Sequence, residues 1–116
     1  MEKKLTRKNT EIYYYKNDQK ITGIHENIRG NVSGIIGNVS EITGNVSDIF
    51  GDVSRISGNV TGISGNVTEL SGNVSGIFGY VSELFGDVSG IYGDVDECNI
   101  TAEERNAGIN IKDLIK

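Results

Sequence analysis

Apolar and polar residues follow a strict repeat of seven along the middle of the chain. Glycine recurs at every seventh residue from Gly30 to Gly93, and valine stands two residues after each of these glycines. Isoleucine or leucine follows three residues after each valine up to Ile91, and Cys98 takes the last such position. The repeating unit is therefore Gly-(Asn/Asp)-Val-(Ser/Thr)-x-(Ile/Leu)-x.

This spacing of apolar residues fits either a coiled coil or a series of strands. A helix would carry a glycine in every heptad, and each glycine would cost about 1 kcal/mol relative to alanine. Most of the remaining residues are Val, Ser, Thr, Asn and Asp, which also form helices poorly. Across Ile-x-Gly-Asn-Val, by contrast, the positions alternate with the period of two that a half-buried strand requires. The pattern predicts strands, with each Ser-x pair at a corner.

The variable positions double the period to 14 residues. Between Ser and Ile, odd-numbered copies carry Gly34, Asp48, Gly62, Gly76 and Gly90, whereas even-numbered copies carry Glu41, Arg55, Glu69, Glu83 and Glu97. Two heptads thus make one coil, and we predict an all-β fold, a two-sided parallel β-solenoid of about five 14-residue coils. In this fold Val and Ile face inward with glycine between them, and glycines at the Ser-Gly corners adopt positive φ.

Both ends of such an array expose strand edges and need caps. Residues 1–29 are predicted to form a basic leader and a β-hairpin cap, with two strands around a turn at Asn17-Asp18. The array spans residues 30–99. Residues 100–116 are predicted to form a C-terminal cap, because Thr101 and Glu104 make a capping-box pattern and Gly108 suits the end of a short helix over about 102–107.

Charge is distributed unevenly between these parts. Residues 1–29 hold seven basic and four acidic side chains, whereas residues 30–99 hold one basic and nine acidic ones, in a chain of net charge −5. No run approaches 18 apolar residues, so we expect no membrane span, and no secretory signal is evident. We expect a cytoplasmic protein.

Little in the composition points to catalysis or to a bound group. One cysteine and one histidine can form neither an internal disulfide nor a zinc site. No nucleophile–base pair, metal cluster or phosphate-binding loop stands out from the repeat. We therefore expect no enzyme activity, cofactor, metal or small-molecule substrate, and we expect Cys98 to be a small buried hydrophobe.

An exposed aromatic face is the strongest candidate binding site. The two-sided coil places on one outer face Ile36, Phe50, Phe78, Tyr80 and Tyr92. Exposed apolar patches on small proteins usually mark interfaces, and Tyr and Phe are typical anchors. Three interpretations remain open: a homodimer, a protein or other macromolecular partner, or cover by the segment Tyr13-Tyr14-Tyr15.

Carboxylates along one edge support a second hypothesis. This acidic edge comprises Glu41, Glu69, Glu83, Glu97, Asp94 and Asp96. Such a row is typical either of a nucleic-acid mimic that competes for the basic groove of a nucleic-acid-binding enzyme or of residues that only keep a β-protein soluble. A third hypothesis is a structural spacer or fibre segment.

The polar positions of the opposite face offer a weaker alternative. Serine, threonine and asparagine form ladders there that would suit ice or glycan binding, although repetition alone generates them: Thr43, Asn45, Ser57, Asn59, Ser71 and Asn73.

The closing part of the array carries a family resemblance. Gly93-Asp-Val-Asp-Glu-Cys98 followed by Ile100-Thr-Ala-Glu-Glu-Arg105 resembles uncharacterised glycine-heptad-repeat proteins of bacteria and their phages. The resemblance covers residues 30 to 116, and this closing segment is its more specific part. It implies a bacterial or phage-infected host cell as the setting and brings no activity with it; in that setting the nucleic-acid mimic of the second hypothesis would be a phage-type inhibitor.

Overall fold

Short β-strands joined by tight turns make up most of the computed structural model, which describes residues 1–5 and 11–116. Residues 6–10 of the predicted basic leader lie outside the described residues. The strands are β1 (Ile12–Lys16), β2 (Gln19–Thr22), β3 (Ile28–Arg29), β4 (Ile35–Asn38), β5 (Ile42–Asn45), β6 (Ile49–Asp52), β7 (Ile56–Asn59), β8 (Ile63–Asn66), β9 (Leu70–Asn73), β10 (Ile77–Tyr80), β11 (Leu84–Asp87), β12 (Gly93–Asp94) and β13 (Ile109–Asn110).

The strands alternate between two sheets, as the doubled period predicts. The first sheet has the order β12-β10-β8-β6-β4-β1-β2 and the second has β13-β11-β9-β7-β5-β3. All pairings within the array are parallel. The predicted β-solenoid is thus confirmed: the four-residue strands β4 to β11 form four complete coils, and the short strands β3 and β12 extend them at the two ends.

Two ladders of aliphatic side chains fill the space between the sheets. Every valine from Val39 to Val88 is fully buried, and the Ile or Leu that opens each strand from β4 to β11 is at most 4% exposed. Each such side chain contributes about 1.5–3 kcal/mol by leaving water. The predicted inward placement of valine and isoleucine is confirmed, and these ladders supply the main driving force for folding.

Each corner is a tight turn over Val-Ser-x-Ile. The carbonyl of Val39 accepts a hydrogen bond from the Ile42 N–H at 3.3 Å, and the equivalent bond recurs at each corner of the array. The predicted positive φ at corner glycines holds for Gly90, at 76°, but is wrong for Gly34, Gly62 and Gly76. Positive φ belongs instead to the glycine that opens every heptad.

The pairing register differs from the sequence period. Ile35 pairs with Gly51 and Ile56 with Gly72, so lateral neighbours are 16 residues apart, not 14. Equivalent residues of successive coils are therefore displaced by two residues, about 7 Å, along the strand. As a result, equivalent side chains form diagonal rows across a sheet.

This register explains the glycine that opens each heptad. Gly58 has φ of 95°, and a Cβ there would collide with Ser75 Oγ and Asn73 Oδ1 of the next coil. The same pair of contacts recurs at most of the other heptad glycines. We predicted that these glycines lie between the inward-facing ladders, where the two sheets come close. This is wrong, because the atoms nearest to an added Cβ belong to the neighbouring coil.

Both predicted caps are present. Strands β1 and β2 form an antiparallel hairpin whose turn residues, Asn17 and Asp18, have φ of 53° and 63° as a two-residue hairpin turn requires. At the other end, helix α1 (Ala102–Ala107) begins at Thr101 with a capping box to Glu104 and ends at Gly108. Strand β13 then pairs with β11, and 3-10 turns cover Val95–Cys98 and Ile111–Leu114.

Candidate binding surfaces

The predicted aromatic face lies on the outer side of the first sheet. Phe50 and Phe78 are each 47% exposed, Tyr80 is 45% exposed and Tyr92 is 82% exposed, whereas Ile36 is half-buried. Ile36, Phe50, Phe78 and Tyr92 occupy equivalent positions of β4, β6, β10 and the residue before β12. We call Phe50, Phe78 and Tyr92 the aromatic row. The row runs diagonally across the sheet, with about 8 Å between equivalent positions of successive coils.

A corner glycine lies beside each ring of the aromatic row. A Cβ at Gly62 would approach the Phe78 Cβ to 3.0 Å, and one at Gly76 would approach the Tyr92 ring to 2.5 Å. Gly34 stands in the same relation to Phe50, at 3.2 Å. These pairs are 16 residues apart, so the corner glycines allow large rings on the next coil. Glycine at these corners therefore serves packing rather than turn geometry.

The rings of the row do not contact one another. Phe78 has Asp94 as its lateral neighbour and Phe50 has Asn66. Phe50 and Phe78 therefore each have a polar lateral neighbour on the next coil. The sequence predicted these residues on one outer face, and a 14-residue register would have placed the Phe78 and Tyr92 rings side by side.

Tyr80 is engaged within the chain. The Arg105 guanidinium lies 4.7 Å from the centre of its ring, and Arg105 also donates a hydrogen bond to the Ser82 carbonyl at 2.8 Å. Arg105 belongs to helix α1, so Tyr80 helps to hold the C-terminal cap. The structure thus separates Tyr80 from the other predicted face residues, and the sequence offered no signal for its contact with Arg105.

The hairpin leaves the aromatic row uncovered. Strand β1 pairs with β4 at the end of the first sheet, with Tyr13 beside Asn38. Tyr14 packs against the core, and Tyr13 and Tyr15 contact each other edge to face at 5.8 Å. The interpretation in which Tyr13, Tyr14 and Tyr15 cover the row is wrong, because these residues extend the sheet beyond β4 and do not lie over it.

The carboxylates predicted for the acidic edge separate into two groups. Glu41, Glu69, Glu83 and Glu97 are exposed, and among the described residues none of the four forms a salt bridge. Arg55 lies in the same row and donates a hydrogen bond to the Thr68 carbonyl at 2.5 Å. Charges at intervals of about 8 Å, one of them reversed, are far sparser than the one charge per 1.7 Å of duplex DNA.

Asp94 and Asp96 have a structural role as well. Asp94 Oδ1 accepts the Asp96 N–H at 2.8 Å, and Asp96 Oδ1 accepts the Tyr80 N–H at 3.1 Å. Asp94 thereby acts as the Asn/Asp of its heptad, and Asp96 takes the place of the Ser/Thr, in the polar ladder described next. These two residues therefore lie apart from the four exposed glutamates in function as well as in position.

The Asn/Asp and Ser/Thr of each heptad form a polar ladder of hydrogen bonds within and between coils. The Asn59 N–H donates to Ser75 Oγ at 2.9 Å, and the Ser75 N–H donates to Asn73 Oδ1 at 2.9 Å. This pair of bonds recurs along the array. Because the fold uses Asn45, Asn59 and Asn73 of the predicted polar face in this way, their repetition provides no evidence for a binding face. Thr43, Ser57 and Ser71 occupy the last position of the heptad and lie outside this pair of bonds.

One member of this ladder has a perturbed carboxyl group. The hydrogen bond from the Ser89 N–H to Asp87 Oδ1, at 2.9 Å, lowers the pKa of Asp87 below its ordinary value of 3.8. The Thr101 N–H likewise lowers the pKa of Glu104 in the capping box. Both shifts favour the charged forms that these local structures need.

A groove of about 610 Å³ lies at the C-terminal end of the array. Its lining includes Ile91, Tyr92, Cys98 and Ile115. The prediction that Cys98 is buried is wrong: the thiol is exposed, because the chain leaves the repeat in the 3-10 turn Val95–Cys98 and Asn99 adopts φ of 54°. The groove thus places an exposed thiol beside the last ring of the aromatic row.

Three further findings concern the chain as a whole. Among the described residues, no cluster of three or more His, Cys, Asp or Glu side chains is arranged to hold a metal ion. No described helix combines the length and the apolar character needed to cross a bilayer. Comparison of the chain with protein-family models, with curated proteins and with solved structures found no match.

Proposed function

We propose that this protein is a non-catalytic binding module that recognises another macromolecule through its aromatic row. The observation that carries the proposal is the exposure of Phe50, Phe78 and Tyr92 at 47, 47 and 82%. The equivalent position of β8 is Ser64, so the fold accepts a small polar residue at this site. Large exposed rings at a position where serine suffices are typical of an interface rather than of a core.

Charge favours a different molecule over a second copy as the partner. Asp48, Asp52 and Asp94 lie beside or between the rings, and Arg55, the one basic residue of the array, lies at a corner on the opposite edge of the sheet. Two such faces packed together would bring like charges into contact, which is unfavourable. A homodimer through this face is therefore the less favoured arrangement, and we take it as an alternative outcome of the test below.

The second candidate is an acidic inhibitor of a nucleic-acid-binding enzyme. Its support is the exposure of Glu41, Glu69 and Glu83 without salt bridges among the described residues. Its weakness is the low charge density of the row. This function requires binding that weakens steeply with salt and that disappears when the three glutamates become glutamine. The third function, a structural spacer, requires neither the aromatic row nor the acidic edge. For all three functions, the setting we propose is the cytoplasm of a bacterial or phage-infected cell.

Paired serine substitutions test the proposal. The first variant, Phe78→Ser/Tyr92→Ser, removes two rings of the row, and the matched control, Phe85→Ser, removes a ring that is 37% exposed on the other sheet. Each substitution installs the serine that this repeat position carries at Ser64 or Ser71. The array should fold in both variants, which circular dichroism checks.

The measurement is light scattering on a sizing column, followed by capture of partners from bacterial lysate. We expect a monomer that retains a partner in the wild type and the control and loses it in the double variant. A dimer that the double variant dissociates would assign the row to self-association. Identical captured proteins and identical mass in all three chains would refute the proposal.

A further inference from the structure

Two aromatic rings of the first sheet already bind cations from the same chain. Lys20 Nζ lies 4.4 Å above the centre of the Tyr13 ring, and the Arg105 guanidinium lies 4.7 Å from that of Tyr80. Lys20 also forms a salt bridge with Glu11 at 3.0 Å. The outer face of this sheet thus holds cations against aromatic rings with an acidic residue close by.

The three rings of the aromatic row each have an aspartate nearby in the sheet or in the chain but no cation of their own. Among the described residues, no Lys or Arg lies over Phe50, Phe78 or Tyr92. Asp94 is the lateral neighbour of Phe78 and follows Tyr92 by two residues in the chain. Asp52 stands two residues from Phe50 and laterally beside Ile36.

Each of these two carboxylates has one oxygen committed to the fold. Asp52 Oδ1 accepts the Ser54 N–H at 2.9 Å, and Asp94 Oδ1 accepts the Asp96 N–H. The second oxygen of each has no hydrogen bond to the described part of the chain. Phe78 and Asp94 lie side by side, and Asp52 lies two residues along the strand from Phe50. A ring and a nearby carboxylate provide both interactions that a guanidinium or ammonium group makes with a protein surface.

We propose that the partner of the aromatic row is a basic protein segment, whose Arg or Lys side chains lie over Phe50, Phe78 and Tyr92 and pair with Asp52 and Asp94. This inference rests on the proposed function and specifies the chemistry of the partner. The nine acidic residues of the array against one basic residue add long-range attraction for such a segment. The diagonal row suits an extended segment that crosses several strands.

Isosteric amide variants isolate the local charges. Asp52→Asn installs the residue that most heptads carry at this position, and Asp94→Asn keeps the Oδ1 acceptor, so both preserve the ladder bonds. A matched control, Glu41→Gln/Asp87→Asn, removes the same net charge from an edge and from the second sheet. Phe50→Leu/Phe78→Leu keeps apolar area and removes the aromatic faces.

The probe is a fluorescein-labelled peptide of alternating Arg and Ser, long enough to cross three coils, and the readout is fluorescence anisotropy with the full-length chain. We expect Asp52→Asn/Asp94→Asn and Phe50→Leu/Phe78→Leu each to weaken binding about tenfold. The matched control should stay within about twofold of wild type. A Gln-Ser peptide should not bind.

Three results would overturn the inference. They are no binding of the Arg-Ser peptide to wild type, equal weakening by the two charge variants, and unchanged binding in the leucine variant. If one of these occurs while the captured partner still depends on Phe78 and Tyr92, the proposed function stands and the partner is not basic. If the captured partner is also indifferent to those rings, the proposed function fails with it.

Discussion

Substitution of Gly58 by alanine tests whether the heptad glycine makes room for the next coil. Gly58 lies in β7, in the middle of the array, and has φ of 95°. Its missing side chain leaves space for Ser75 Oγ and Asn73 Oδ1. These two atoms are the acceptors in the ladder bonds from the Asn59 and Ser75 N–H groups. An added methyl group therefore strains the backbone and displaces both acceptors.

The expected cost follows from these two effects. Holding alanine at this φ costs about 1–3 kcal/mol. Losing two hydrogen bonds adds about 1 kcal/mol each. The sum, about 3–5 kcal/mol, is a large part of the 5–15 kcal/mol that typically stabilises a domain. For a chain of this length it corresponds to a fall in Tm of roughly 12–20 °C.

Gly90→Ala is the matched control. Gly90 also has positive φ, at 76°, but a Cβ there would meet no atom within 4 Å. Its substitution should cost only the backbone term, about 1–2 kcal/mol. Urea and thermal unfolding followed by circular dichroism measure both variants. Equal losses for Gly58→Ala and Gly90→Ala would refute the argument that packing between coils, rather than backbone conformation alone, selects glycine.

Three further predictions concern single side chains. Because the pKa of Asp87 is lowered in the folded state, its ionisation adds stability above its ordinary pKa of 3.8, and this stability is lost as the pH falls through the lower folded value. Asp87→Asn should therefore flatten the fall in Tm over that pH range, and an unchanged profile would contradict the lowered pKa of Asp87. Arg105→Gln should speed amide exchange in residues 100–116 about tenfold through loss of its contacts with Tyr80 and Ser82, whereas Lys112→Gln should not. Cys98 should react with a thiol reagent in the native state at the rate of an exposed cysteine, and reaction only after unfolding would show that the thiol is buried.

Much of the architecture follows from the sequence because each heptad contains the residues that determine its own local structure. Val and Ile at fixed spacing determine which side chains are buried, and the alternation of Gly34 with Glu41 and their successors distinguishes the two edges. Asn17-Asp18 and Thr101 to Glu104 are local signals for a hairpin turn and a helix start, and both predictions are confirmed. Such features depend on near neighbours in the chain.

The register between coils escaped prediction because a 14-residue repeat gives no direct information on how neighbouring coils are displaced. The signal was nevertheless present in the variable positions. Gly62 and Phe78 are 16 residues apart, as are Gly76 and Tyr92, whereas Asp48 has the small Ser64 in the corresponding place. The predicted burial of Cys98 is wrong for a different reason. The chain leaves the repeat after Val95, and the repeat itself carries no information on where it ends.

The alternation of heptads between the two sheets has a consequence for how such a gene changes in length. Loss or gain of one heptad between Phe50 and Phe78 would keep every valine and isoleucine in register yet transfer all later residues to the opposite sheet, separating Phe78 and Tyr92 from Phe50. Loss or gain of two heptads would leave each residue on its own side and merely shorten or lengthen the row. Copy number in this protein therefore has a parity: even changes adjust the size of the surface, and odd changes divide it between two sides of the molecule.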